Sequence, residues 1–284
     1  MSFKRLLQQT AKQVEHLERL RDQSLPFATA IALMCMAGLT PDTWQRKLLN
    51  HSGKRALLLC SRQAGKSTVT AALALFTALI QRDALILLIA PSLRQSQELF
   101  AKVMAFYRHT GEPMALLDRS ALRARFANGS RIIALPGSEK TIRGFSGVDL
   151  LVIDEASLVL DDLYYSVRPM LAVSDGRLIA LTTPRGRRGF FYKEWTEGGD
   201  DWLRISVTAH DVPRISPEFL EEERRKMGDY WYSQEYLCQF NDTTTALFRH
   251  EDIQAAFSVD VDLLFPNEPF MAPMMPTDPS SEDL

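Results

Sequence analysis

Residues 56–68 read Ala-Leu-Leu-Leu-Cys-Ser-Arg-Gln-Ala-Gly-Lys-Ser-Thr. A short apolar run meets a turn, the turn ends in Gly65-Lys66-Ser67, and an alanine-rich helical pattern follows over 67–80. That order of parts can build a nucleoside triphosphate site. Backbone N–H groups of Ser61, Arg62, Gln63, Ala64, Gly65 and Thr68, with the N-terminus of the helix, would face the phosphates. Lys66 would reach the β- and γ-phosphates, and the Ser67 hydroxyl would hold Mg²⁺. The standard loop carries a further Gly five residues before Gly65. Cys60 stands there instead, so the motif is imperfect and a buried strand–helix turn is the competing reading.

A phosphate loop needs an acid at the end of a neighbouring strand, and residues 149–155 supply one: Asp149-Leu-Leu-Val-Ile-Asp154-Glu155. Four apolar residues form the strand, and two carboxylates sit at its carboxyl end, where ligands bind in open α/β sheets. Asp154 would orient the metal and its waters, and Glu155 would polarise the attacking water. Arg62 lies inside the loop. Its guanidinium either reaches the γ-phosphate as an arginine finger supplied in cis, or simply faces solvent or pairs with a carboxylate. The strand Leu178–Leu181 ends in Thr182-Thr183-Pro184, whose hydroxyls either sense the γ-phosphate or merely cap the strand. Trp44-Gln45 precedes the first core strand. A Gln amide can donate to and accept from an adenine edge while a flat ring stacks, although a buried Trp on a helix is the commoner arrangement.

Further out, apolar runs at 56–60, 85–90, 131–135, 149–153 and 177–181 alternate with helical patterns at 67–80, 94–109 and 161–170. Several runs are apolar throughout, which predicts a mostly parallel sheet covered on both faces by helices. A last strand is expected at 203–207, then helices at 217–227 and 229–238. Leucines among charges at 3–23 read as an amphipathic helix. The end of the chain is rich in proline and acids, without a basic residue, and reads as disordered.

With 284 residues, 46% of them hydrophobic and a formal charge of −2, the chain has ample core and is not basic as a whole. Any polyanion contact must come from local patches. Two are visible: Arg119, Arg123, Arg125, Arg131, Lys140 and Arg143, and then Arg185, Arg187, Arg188 and Lys193. Both are expected mostly in loops beside the site, as phosphate contacts, solvated surface or a subunit face. The three cysteines have no metal or disulfide spacing. The apolar stretch Phe27–Gly38 is too short to span a bilayer and reads as a buried helix, so no membrane role is expected.

In combination these segments resemble the large subunit of tailed-bacteriophage terminases, the motor that packages DNA into proheads. The resemblance runs from about Pro41 to about Arg249. It rests on Trp44-Gln45, the loop Ser61–Thr68 with Arg in its second position, Ala90-Pro91-Ser92 with Gln95, and Ile142-Arg143-Gly144-Phe145. It rests also on Val152–Glu155, Thr182-Thr183-Pro184-Arg185-Gly186 and Gln234–Phe240. The resemblance implies a P-loop NTPase of the RecA-like additional-strand class that uses ATP and Mg²⁺. Arg62, Lys66 and Glu155 would act in catalysis, Ser67 and Asp154 at the metal, and Thr182-Thr183 in coupling. It implies double-stranded DNA, a portal protein and a small terminase subunit as partners, a pentameric ring on the portal, and action in the host bacterial cytoplasm.

The expected division is an N-terminal helical segment over 1–40, an ATPase core over 41–190, a small helical C-terminal subdomain or linker over 191–255, and the tail over 256–284. Large terminase subunits usually carry a nuclease domain as well. Asp260 and Asp262 alternate as strand residues would, but the residues after them are too few for the remaining strands and acids, so nuclease activity is not expected. A helicase-like ATPase and a non-catalytic nucleotide-binding module are the alternatives. The first would need a second RecA-like lobe, and the second is at odds with a full Lys66, Asp154 and Glu155 set.

Overall fold

The computed structural model describes residues 25–137, 142, 144–242 and 256. The expected helix at 3–23, the terminal tail with Asp260 and Asp262, and the side chains of Lys140 and Arg143 lie outside these residues. The chain divides into two compact units, Met1–Asn241 and Asp242–Leu284, and the architecture below is that of the first.

Two short helices, α1 (Ala30–Met36) and α2 (Thr43–Leu49), precede β1 (Arg55–Cys60) and α3 (Lys66–Ile80). Then come β2 (Leu85–Ala90), α4 (Leu93–His109), β3 (Leu116–Arg119), β4 (Arg123–Phe126) and β5 (Arg131–Pro136). The acid-bearing strand β6 (Leu150–Asp154), α5 (Asp161–Val167), β7 (Arg177–Thr182), α6 (Gly189–Glu197), β8 (Trp202–Val207) and α7 (Pro217–Glu235) complete the unit. The strands form one eight-stranded sheet in the order β3-β4-β5-β2-β6-β7-β1-β8. It is parallel from β5 to β8 and antiparallel only at β3–β4 and β4–β5. The additional strand is β7, which lies between loop-bearing β1 and acid-bearing β6. This is the fold of an additional-strand P-loop NTPase.

The core explains why those apolar runs are strands. Every residue of β2 and β6 is buried, because helices cover both faces. In β1, Ala56, Leu58 and Cys60 join α3 and α4 on one face, while Leu57 and Leu59 join Tyr164, Phe190 and Phe191 on the other. Tyr164 and Phe190 stack with centroids 4.0 Å apart and planes 7° from parallel. Helix α3 is alanine-rich because it is buried almost all round, and small side chains let it sit close to the sheet.

The strand expected at 203–207 is β8, which carries the sheet past residue 190 by pairing with β1 from Arg55↔Trp202 to Cys60↔Val207. Two features differ from the sequence reading. The basic segment 119–131 is not a set of loops beside the loop-bearing strand. Arg119, Arg123, Arg125 and Arg131 lie on the antiparallel edge strands β3, β4 and β5, and four strands separate β5 from β8 while three separate it from β1. The expected helix at 161–170 ends at Val167 and continues as a 3-10 turn, Arg168–Leu171, forced by Pro169, which cannot donate within an α-helix. The two expected C-terminal helices are there as one element broken at Gly228, whose φ of 76° and ψ of 165° are non-helical. Among the described residues no helix is long and apolar enough to cross a membrane.

Candidate active site

The carboxyl ends of β1, β6 and β7 converge on a cleft of about 560 Å³. The loop between β1 and α3 forms its floor. Gly65 caps α3 with φ 91°, a left-handed conformation that favours glycine, and a Cβ there would displace the end of the Gln45 side chain, whose Nε2 would lie 2.9 Å away. Ser61 and Ala64 are fully buried and carry the loop, with the Ser61 N–H donating to the Val207 carbonyl at 2.8 Å. Arg62, Gln63, Lys66, Ser67 and Thr68 line the cleft. Cys60, in the place of the usual glycine, is fully buried in the core, and burial pushes its thiol pKa far up.

Lys66 is the centre of the arrangement. Its Nζ donates to Thr183 Oγ1 at 2.7 Å and lies 3.2 Å from Glu155 Oε1. The Ser67 hydroxyl donates to Asp154 Oδ2 at 3.0 Å, and the Glu155 N–H donates to Asp154 Oδ1 at 2.9 Å. Three strands thus deliver a cation, two carboxylates and two hydroxyls to one point. Burial, and then the charge of Glu155, raise the Asp154 pKa, against opposing pulls from Lys66 and Ser67. A hydroxyl and a carboxylate are hard oxygen donors of the kind Mg²⁺ takes, with waters completing its shell. The donor set therefore fits Mg²⁺.

Glu155 sits at φ 48° and ψ 46°, a left-handed conformation that costs energy for a non-glycine residue and recurs at functional sites. The turn aims its carboxylate into the cleft, where it is 28% exposed. Behind it, Ser157 joins the two acid- and hydroxyl-bearing strands. Its N–H donates to Thr182 Oγ1 at 3.2 Å, its hydroxyl donates to the Thr183 carbonyl at 2.8 Å, and the Ser157 and Thr182 hydroxyls share a short hydrogen bond. Thr182 and Thr183 are therefore in contact with Lys66 and the acid turn rather than capping the strand alone.

Two expected residues, Trp44 and Arg62, stand apart from the cluster around Lys66. Trp44 is buried in the core and is not part of the cleft wall. Gln45 does line the cleft, yet its amide is partly engaged, accepting from the Asp42 N–H at 2.9 Å and donating to the Gly65 carbonyl at 3.4 Å. Arg62 turns away from the carboxylates of the site and pairs with Glu235 at the end of α7. Arg214 and Lys102 were not legible from motif spacing, and Glu235 was visible only as part of the Gln234–Phe240 segment, with no role attached. Arg214 forms a bidentate pair with Asp42 at 2.9 and 2.8 Å and also donates to the Ala64 carbonyl at 3.3 Å, closing one side of the cleft. Lys102 reaches the rim from α4.

Terminase large subunits share this chain's sequence pattern and fold. The chain is 25% identical over 221 residues to the terminase large subunit of Escherichia phage T5, covering 74% of this chain and 50% of that one. Its fold superposes on the large terminase ATPase domain of Thermus phage P74-26 with a TM-score of 0.66 at 21% identity, over 76% of this chain and 99% of that one. The large terminase of a thermophilic bacteriophage, solved with ADP, aligns with a TM-score of 0.59 at 15% identity, over 75% of this chain and 54% of that one. The chain spans about half the length of the curated relatives it matches. The model of the N-terminal part of the T4likevirus-type terminase large subunit matches residues 57–255, well over half of the sequence, and the chain belongs to that terminase large subunit family.

Proposed function

We propose that this chain binds ATP with Mg²⁺ in the cleft, hydrolyses it, and so drives double-stranded DNA into a prohead as the motor subunit of a terminase. The observation that carries the reading is the meeting of Lys66, Ser67, Asp154, Glu155 and Thr183 at the carboxyl end of the sheet. The solved relative with ADP supports the same ligand class. Lys66 would bind the β- and γ-phosphates, which draw it off Glu155 and free that carboxylate to take a proton from the attacking water. Ser67 and Asp154 would hold Mg²⁺, which neutralises charge on the phosphate oxygens when bound. Thr183, on Lys66, and Thr182, on Ser157, would register loss of the γ-phosphate at the end of β7. The portal protein, a small terminase subunit, a pentameric ring and the host bacterial cytoplasm belong to this proposal.

Steady-state ATP turnover tests it, measured alone, with DNA, and with portal. Turnover should vanish on chelation of Mg²⁺ and in Lys66→Ala. A native protein inactive under all three conditions would sink the reading.

The edge ribbon supports a DNA contact. Arg125 and Arg131 stand directly opposite each other on β4 and β5, and both are exposed. Like charges so placed destabilise a sheet, and a phosphate backbone relieves the repulsion. Replacing both with Ala should weaken DNA binding and reduce the slope of log affinity against log salt by about two. An unchanged slope would remove the ribbon from the interface.

A further inference from the structure

Among the described residues four cations line the cleft: Arg62, Lys66, Lys102 and Arg214. Three of them already hold a carboxylate. Arg62 pairs with Glu235, Lys66 with Glu155 at 3.2 Å, and Arg214 with Asp42 at 2.8 Å. Lys102 is different. Glu98, the acid one helical turn before it, is taken by Arg94 at 3.0 Å, and among the described residues no carboxylate or other acceptor partners the Lys102 ammonium.

The elements around Lys102 set which part of a nucleotide it meets. Helix α4 starts at Leu93, just past the carboxyl end of β2, and packs against α3 and α1. Long side chains on a helix lean back toward its N-terminus, so the Lys102 stem runs toward the carboxyl end of the sheet, where the cleft opens. The wall that those neighbouring helices give the cleft is Thr68 in the first turn of α3, Met34 in α1 and Gly38-Leu39-Thr40 just after it. Glu155 and Thr183, which meet Lys66, instead follow β6 and β7. Lys102 thus belongs to the Thr68 side of the cleft. With the γ-phosphate at Glu155, and Lys66 on the β- and γ-phosphates, the anion left for that side is the α-phosphate.

We propose that Lys102 is a nucleotide-binding residue whose ammonium takes the α-phosphate, a group that ATP and ADP share. The proposal rests on the reading of the cleft as an ATP site. A phosphate that recruits Arg62, Lys66 or Arg214 displaces a carboxylate and gains only the difference, whereas Lys102 gives up nothing but water. A compact charge on a flexible four-carbon stem also follows a phosphate without a fixed geometry. The α-phosphate keeps its charge while the γ-phosphate is cut. Lys102 therefore stabilises ground state and transition state alike, which sets affinity rather than rate.

Calorimetry with ATPγS and with ADP tests this on the native chain, Lys102→Ala, Lys102→Arg and Arg108→Ala. The last removes an equal charge from the same helix outside the cleft wall. Lys102 is exposed and Ala is the best helix former, so the fold is kept. Lys102→Ala should weaken both nucleotides by the same factor, roughly fivefold. Lys102→Arg should restore most of that loss, and Arg108→Ala should move neither nucleotide. The loss should shrink as salt is raised to about 1 M, where charges are screened within roughly 3 Å. In steady state, KM for ATP should rise in Lys102→Ala while kcat holds. Unchanged affinities, a loss matched by Arg108→Ala, or a loss confined to ATPγS would overturn the assignment of Lys102 to the α-phosphate and leave the ATP site standing. A native chain that binds neither nucleotide would overturn the site and the assignment together.

Discussion

Glu155→Gln should slow ATP turnover by about 10²–10⁴-fold, the range a positioned general base supplies, while the protein still binds nucleotide. The amide has nearly the volume of the carboxylate and keeps an oxygen for Lys66, 3.2 Å away in the native site. The left-handed backbone at Glu155 suits Gln no worse than Glu, and the N–H that holds Asp154 is unchanged. What disappears is the ability to accept a proton from water. Loss of kcat with a largely preserved KM is the signature of a group that acts in the transition state. Single-turnover hydrolysis and ATPγS binding measured side by side would separate this from a folding defect. A variant whose turnover stays within about tenfold of native would remove Glu155 from the role of base.

Most of the sheet was legible because its strands are apolar runs, several of them buried on both faces, a pattern that depends on local sequence alone. The runs expected at 85–90 and 131–135 appear as Leu85–Ala90 and Arg131–Pro136. Strands β3 and β4 were missed for the opposite reason. Each has four residues and carries charge, and one face of the ribbon is open. The alternation Arg123-Ala124-Arg125-Phe126 was nevertheless a period-two signal, with Ala124 and Phe126 buried and the arginines out. In the cleft, the loop and the acid turn were legible because their chemistry is written in contiguous residues. The ties from Arg214 to Asp42 and from Arg62 to Glu235 join positions 172 and 173 residues apart, and no local spacing encodes them. Trp44 shows the limit of reading type without context. An aromatic next to a Gln suits a base-stacking role, yet the helix turns the ring into the core and leaves only Gln45 at the cleft.

The largest expected loss of stability comes from Gly176→Ala, and it would reach the site through the sheet. Gly176 stands just before β7, where the chain crosses behind the start of β6. A Cβ there would lie 1.9 Å from the Val148 carbonyl oxygen and 3.0 Å from Leu171 Cδ2. The first neighbour is backbone and cannot rotate away. That backbone is also held on both sides: the Val148 N–H donates to the Met170 carbonyl at 3.0 Å, and the Val148 carbonyl accepts from the Ser174 hydroxyl at 2.6 Å. Relief therefore requires β7 to shift against β6. Overpacking of this kind costs about 1–3 kcal/mol, and about 2 kcal/mol lowers the melting temperature of a unit this size by roughly 4–8 °C. The register of β6 and β7, from Leu150↔Arg177 to Asp154↔Leu181, is what brings Thr183 to Lys66 and Ser157 to Thr182. Turnover in the folded variant should consequently fall as well, whereas a substitution at a surface glycine such as Gly199, which strains the backbone at φ 72° but meets nothing within 4 Å of its added Cβ, should lower stability without touching turnover. Urea unfolding and ATP turnover on the same preparations decide the matter: a Gly176→Ala protein with a native midpoint would mean that the β6–β7 crossing yields, and that the site does not depend on its tightness.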